Sequence, residues 1–176
     1  SAHATMINDF KTAALSGLGC VGGYAADKEN EIEAISSIAE MNSFKNANEL
    51  IAFEVNKYYR IQNVYRKTFI SVANGERVLK EGSKADINQL WQVEEGTDGA
   101  YLIKSPNAGY MQAVGNNALV SENGAEFRFN YFKEYAGQYG ILNKDNNDML
   151  AGINATTLGT WWGGGIDGDM SYRFIE

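Results

Sequence analysis

The sequence predicts a mainly β protein: a closed barrel built from three repeated units over about residues 57–176, preceded by a small α-helical hairpin. Three observations predict it. A Tyr-x-Ile triplet occurs three times, as Tyr59-Arg60-Ile61, Tyr101-Leu102-Ile103 and Tyr139-Gly140-Ile141, and internal repetition of this kind reports architecture before any local propensity does. The spacing of apolar residues changes from a period near 3.6 to a period of 2 at about residues 50–56. Beyond that point turn-forming clusters are dense and the apolar runs between them are short.

The helical part comes first. Met6, Ile7, Phe10, Ala14 and Leu18 recur at spacings of three and four, which predicts a helix over residues 5–18. Gly17, Gly19, Gly22 and Gly23 end it, and a phosphate-cradling loop is disfavoured because no strand precedes these glycines and no Gly-Lys-Ser/Thr follows. Asp27 reads as the N-cap of a second helix with Glu29, Glu31 and Glu33 early in it, an apolar face through Ile32, Ile35 and Met41, and an end near residues 42–48. Residues 1–50 are therefore expected as a helical hairpin appendage and 51–176 as the barrel. No Pro/Gly/Ser linker lies between them, so the two are expected to pack together. From Ile51, alternation through Phe53 and Val55 to Tyr59 and Ile61 predicts strand.

Each of the three units, about residues 57–97, 98–136 and 137–176, repeats the same offsets from its Ile. A small polar residue follows at two (Asn63, Ser105, Asn143), a large apolar one at eight (Phe69, Met111, Met149) and an aliphatic one at seventeen (Val78, Val120, Leu158). Each closes on an aromatic: Trp91-Gln92-Val93, Phe127-Arg128-Phe129, Tyr172-Arg173-Phe174. Four short strands per unit, three times, fit a closed threefold barrel better than a propeller or a solenoid.

Composition narrows function. The net charge of −7 lacks the basic footprint that nucleic acid selects. No apolar run reaches the roughly 18 to 20 residues that span a bilayer. One histidine, His3, and one cysteine, Cys20, leave little for Ser/His/Asp, Cys/His or zinc chemistry, and no internal disulfide can form. No enzyme activity, cofactor or metal site is expected. The carboxylate clusters Asp145–Asp148 and Asp167-Gly168-Asp169 offer oxygen ligands, but Met149 and Met170 interrupt the calcium-loop spacing. The chain opens on Ser1-Ala2-His3 without Met or signal peptide, as expected of a piece cut from a longer chain.

With these residues in view, positions 57–176 resemble a β-trefoil of the ricin B-chain lectin type. Gln89-Leu90-Trp91 matches the Gln-x-Trp signature of that family, and Tyr59-Arg60-Ile61-Gln62-Asn63 is similar to its opening strand. The second and third units carry Ala125-Glu126-Phe127 and Met170-Ser171-Tyr172 where the family has Gln-x-Trp. A helical hairpin leading into Lys57-Tyr58-Tyr59-Arg60-Ile61 is also similar to surface proteins of gut bacteria. The resemblance implies sugar binding in shallow, repeated pockets, each holding an Asp early in the second strand. The matching positions here are Ser71, Gln112 and Ala151. None is a carboxylate able to accept from two adjacent hydroxyls, so the usual pocket is expected to be degraded in all three units.

Two stretches could still meet a sugar, whose C–H faces stack on aromatic rings while amides and carboxylates take its hydroxyls. The third unit has Trp161 and Trp162 beside Asp167 and Asp169, with Asn147 and Asp148 from the preceding turn. The plainer alternative is that alternation buries one Trp in the core and leaves the other over a loop. The second unit offers Asn107, Tyr110 and Gln112, for which an ordinary turn and strand is the alternative. The expectation is a non-catalytic carbohydrate-binding module, an accessory part of a larger extracellular or cell-surface protein. Its partners would be a carbohydrate or glycoprotein and the other domains of the parent. A protein-interaction trefoil that binds no sugar is the rival.

Overall fold

The computed structural model describes residues 1–18, 24–48, 57–131, 138–162 and 168–176. Eleven strands are present among them: β1 (Tyr58–Asn63), β2 (Thr68–Ala73), β3 (Glu76–Lys80), β4 (Trp91–Glu95), β5 (Tyr101–Ser105), β6 (Gly109–Tyr110), β7 (Phe127–Tyr131), β8 (Tyr139–Asn143), β9 (Met149–Gly152), β10 (Leu158–Trp161) and β11 (Tyr172–Ile175). Antiparallel pairing runs β1 to β4, β4 to β5, β5 to β7, β7 to β8, β8 to β11 and β11 back to β1. This closes a six-stranded barrel with no free edge. Hairpins β2–β3 and β9–β10 lie at one end. The third hairpin is reduced to β6 and one isolated bridge, Tyr110 to Ser121, and a second bridge, Glu76 to Leu119, joins it to β3 of the first unit. A six-stranded barrel capped by three hairpins is a β-trefoil.

The Tyr-x-Ile triplets supply the barrel interior. Ile61, Ile103 and Ile141 are fully buried, as are Trp91, Phe127 and Tyr172 from the closing strands. At the barrel end away from the hairpins, Tyr59 and Tyr139 meet Phe174 edge-on at 6.2 and 6.3 Å, and Tyr101 stacks on Phe129 at 5.1 Å. The small polar residue of each triplet opens the next turn. Asn63 Oδ1 accepts from the Arg66 backbone N–H at 3.0 Å, and Asn143 Oδ1 accepts from that of Asp145 at 3.0 Å. Ser105 Oγ accepts from that of Asn107 at 3.4 Å. These side chains mimic a backbone turn, which explains a polar residue at a buried, repeated position.

One expected equivalence shifts. Gln62 pairs with Phe69 and Leu142 with Met149, but Lys104 pairs with Tyr110. The second hairpin is therefore one residue shorter, and Met111 is the counterpart of Ile70 and Leu150. All three lie in the main core, whereas Phe69 and Met149 do not. By the same registers the counterpart of Arg77 is Leu158, so Val78 and Leu158 are not equivalent.

The helical part differs from a simple hairpin. It contains α1 (Ala2–Leu18), α2 (Tyr24–Glu33) and α3 (Ile38–Asn48). The second helix of the expected hairpin is broken at residues 34–37, and Asp27 lies inside α2 rather than ahead of it. The break has a sequence cause: Ser37-Ile38-Ala39-Glu40 is a capping box. Ser37 Oγ accepts from the Glu40 N–H at 3.1 Å, and Glu40 Oε2 accepts from the Ser36 N–H at 2.7 Å. The Ser36 N–H and then the Ser36 hydroxyl, which donates to the same oxygen at 2.9 Å, hold the Glu40 carboxyl below its usual range. Lys11 of α1 donates to the Glu33 and Ile35 carbonyls at 2.6 and 3.1 Å, covering the C-terminal end of α2. α1 packs beside β7, and Ile7, Ile32, Ile35, Met41 and Phe44 join the barrel residues in one hydrophobic cluster. The glycine turn at 19–23 and the strand expected from Ile51 to Val55 lie outside the described residues. No described helix is long and apolar enough to cross a membrane.

Candidate functional site

Strand alternation gives each hairpin an inner face toward the core and an outer face. On the outer face, register aligns Phe69, Ser71 and Lys80 of the first unit with Tyr110, Gln112 and Ser121 of the second and with Met149, Ala151 and Trp161 of the third. The three positions where the resemblance implies an Asp thus do fall together, and their surroundings differ.

In the first unit Ser71 is fully buried and its hydroxyl donates to the Phe69 carbonyl at 3.1 Å. The 3-10 turn Ile87–Gln89 packs on β2. The Gln-x-Trp residues work internally. Gln89 Oε1 accepts from Arg60 at 3.2 Å and from the Ser83 N–H at 2.9 Å, and its Nε2 donates to the Glu81 carbonyl at 2.7 Å. Trp91 donates its indole N–H to the Ile70 carbonyl at 2.8 Å. In the third unit Ala151 is 2% exposed, beneath Met170 of a second 3-10 turn, Gly168–Met170. Both positions are sealed.

Among the described residues no such turn covers the hairpin of the second unit, and Gln112 is half-buried with access to solvent. Its Nε2 donates to Ser121 Oγ at 2.8 Å and closely to the Asn123 carbonyl, leaving Oε1 without a partner among the described residues. Tyr110 donates to Glu94 Oε2 at 2.9 Å, and the Lys104 ammonium lies 5.2 Å from its ring. Asn107 is exposed in the preceding turn. Gln112 thus follows Tyr110 by two residues just beyond β6, and the pair is braced by Glu94, Ser121 and Asn123. None of those three braces stood out in the sequence, because the contacts cross between segments whose register only the fold reveals.

The third unit brings most of its predicted residues together. Trp161 pairs directly with Met149 and Trp162 follows it; they are 52% and 65% exposed. Neither indole is buried, so the plainer alternative, with one Trp in the core, does not hold. The pairing partner of Trp161, Met149, belongs to a small satellite core with Leu142, Ala151 and Met170. Asp148, half-buried, and Asn147, exposed and in the left-handed region at φ 64°, precede Met149 and so stand at the Trp161 end of the hairpin. The Asp148 carboxylate has no hydrogen bond among the described residues. Asp169 sits in the 3-10 turn over β9, its carbonyl accepting from Asn63 Nδ2 at 2.6 Å. Asp167 lies outside the described residues.

Comparison with known proteins agrees with this geometry. Residues 50–129 match the family model described as ricin-type beta-trefoil lectin domain-like. Among solved structures the chain is similar to ThreeFoil, a designed threefold-symmetric protein, at 15% identity and a TM-score of 0.56, over 68% of this chain and 98% of that one. It is similar to the Macrolepiota procera ricin B-like lectin in complex with lactose at 15% identity and a TM-score of 0.55, over 72% and 99%. It is similar to SeviL bound to asialo-GM1 saccharide at 19% identity and a TM-score of 0.58, over 68% and 96%. No curated protein matches the sequence. The fold is a β-trefoil with helices at its N-terminal side.

Proposed function

We propose that this chain is a non-catalytic carbohydrate-binding module, an accessory part of a larger extracellular or cell-surface protein. One observation carries the reading: Trp161, on the outer face of the third unit, and Trp162, next to it in the chain, are both exposed at the end of the hairpin where Asn147 and Asp148 lie. Indole faces take the C–H face of a pyranose, and a carboxylate and an amide beside them take its hydroxyls. Two of its structural neighbours, a ricin B-like lectin with lactose and SeviL with the asialo-GM1 saccharide, support the same class of ligand. Tyr110, Gln112 and Asn107 form a smaller second surface. A shallow site buries few ligand atoms, so single-site binding is weak and retention depends on several sites or on the parent protein.

A sugar-independent protein-interaction role is the second reading, favoured by the sealed Ser71 and Ala151 positions. A glycan array separates the two. The intact chain is expected to retain a subset of glycans, with retention reduced by Trp161→Ala and Trp162→Ala. Absence of retention on every glycan, or retention unchanged in both variants, overturns the third-unit site.

A further inference from the structure

Tyr65 is a further strongly exposed aromatic among the described residues, at 63%. It lies in the turn between β1 and β2, in the first unit, yet that turn is fastened to the third unit. The Val64 N–H donates to the Ser171 carbonyl at 2.9 Å and Asn63 Nδ2 to that of Asp169 at 2.6 Å. The ring is braced on two sides. A Cβ built on Gly168 would lie 3.5 Å from it, so the 3-10 turn packs against the ring. The Arg66 guanidinium lies 4.9 Å from the ring centroid and is itself fixed by the Gly152 and Ile153 carbonyls at 2.8 and 2.9 Å.

Those bonds place Tyr65 and Trp161 at opposite ends of β9. Arg66 grips Gly152 at one end, and Trp161 pairs with Met149 at the other. Three residues of strand separate the two ends, about 10 Å, which exceeds one sugar ring. Between them lies the Gly168–Met170 turn, with Asp169 half-buried and the apolar Met149 and Met170 buried beneath. Two aromatic platforms divided by a polar turn do not form the continuous apolar centre that a protein interface needs. They do match a chain of sugars, in which C–H faces alternate with hydroxyls.

We propose that Tyr65 is a second stacking platform, and that the ligand is an oligosaccharide running from Trp161 across the Gly168–Met170 turn to Tyr65. The proposal rests on the carbohydrate-binding reading of Trp161 and adds ligand length and a cross-unit subsite. The test uses an array of immobilised glycans graded from monosaccharides to hexasaccharides, probed with the intact chain and with Tyr65→Ala and Tyr65→Phe. Circular dichroism melts verify that the variants fold. The expected result is retention that rises with glycan length, roughly a five- to tenfold loss on the longer glycans alone for Tyr65→Ala, and recovery in Tyr65→Phe, which keeps the ring. Equal retention by Tyr65→Ala and the intact chain overturns the subsite and leaves the Trp161 site standing. Absence of retention by the intact chain on every glycan overturns both.

Discussion

At the residue scale, a side chain's role here depends on which way it faces, and the Gln-x-Trp signature shows how far a motif can mislead about ligand. Trp91 is fully buried, and its indole N–H is spent on the Ile70 carbonyl. Gln89 is spent on Arg60, Ser83 and Glu81. The signature therefore specifies how the first unit closes, while Trp161 and Trp162, outside any signature, reach solvent. Trp91→Phe is expected to cost about 1–2 kcal/mol in urea denaturation, from a lost hydrogen bond and a small void, and to leave glycan retention unchanged. A fall in retention at unchanged stability would show that Trp91 has a ligand role after all. The buried polar position after each Ile was visible in the sequence as a repeat. Its purpose was not, because the receiving N–H groups of Arg66, Asn107 and Asp145 are backbone atoms that no residue pattern names.

At the element scale, strand existence was legible and strand register was not. Counting eight residues from each Ile aligns Phe69, Met111 and Met149, which presumes hairpins of one length. The Pro106-Asn107-Ala108-Gly109 turn is tighter. Gly109 adopts φ 114°, and a Cβ there would stand 2.6 Å from the Ser121 carbonyl oxygen, so only glycine permits this approach. One residue fewer moves Met111 from the outer face to the core, as period-two alternation requires. Met111→Ala is expected to cost about 2–5 kcal/mol in chemical denaturation, whereas Tyr110→Ala, which loses a half-exposed ring and one hydrogen bond, costs about 1 kcal/mol. The reverse ranking would contradict the register. The break between α2 and α3 was legible in principle from Ser37-x-x-Glu40. The apolar period of three and four runs through that box and hides it, since Ile35, within the break, and Ile38, at the start of α3, both pack into the core cluster.

At the scale of the whole molecule, the threefold pattern in the sequence predicts three like units but not what holds them to one another. Closure of the barrel does part of this, and Arg77 does another part. It lies on β3, at the register position that Leu158 occupies in the third unit, and it is fully buried. Its guanidinium donates to the Gln112 and Gly115 carbonyls of the second unit at 2.6 and 3.0 Å and to the Leu158 carbonyl of the third at 2.7 Å. No carboxylate accepts from it among the described residues. Burial pulls its pKa down to about 10, and it remains a cation at neutral pH, solvated by backbone carbonyl dipoles instead of water. In sequence, nothing in Glu76-Arg77-Val78-Leu79-Lys80 names a partner for Arg77, because the acceptors are backbone carbonyls of other units, so the fastening was hidden. Truncating Arg77 strands several buried carbonyls from two other units and leaves a void where the side chain ran. Arg77→Ala is therefore expected to lose about 3 kcal/mol or more in urea denaturation. Arg77→Lys keeps the charge but lacks the planar fork that reaches both partner units, so it restores only part of that loss. Full recovery in the lysine variant would mean that charge alone fastens the units, and a loss below about 1 kcal/mol in Arg77→Ala would mean that barrel closure suffices without it.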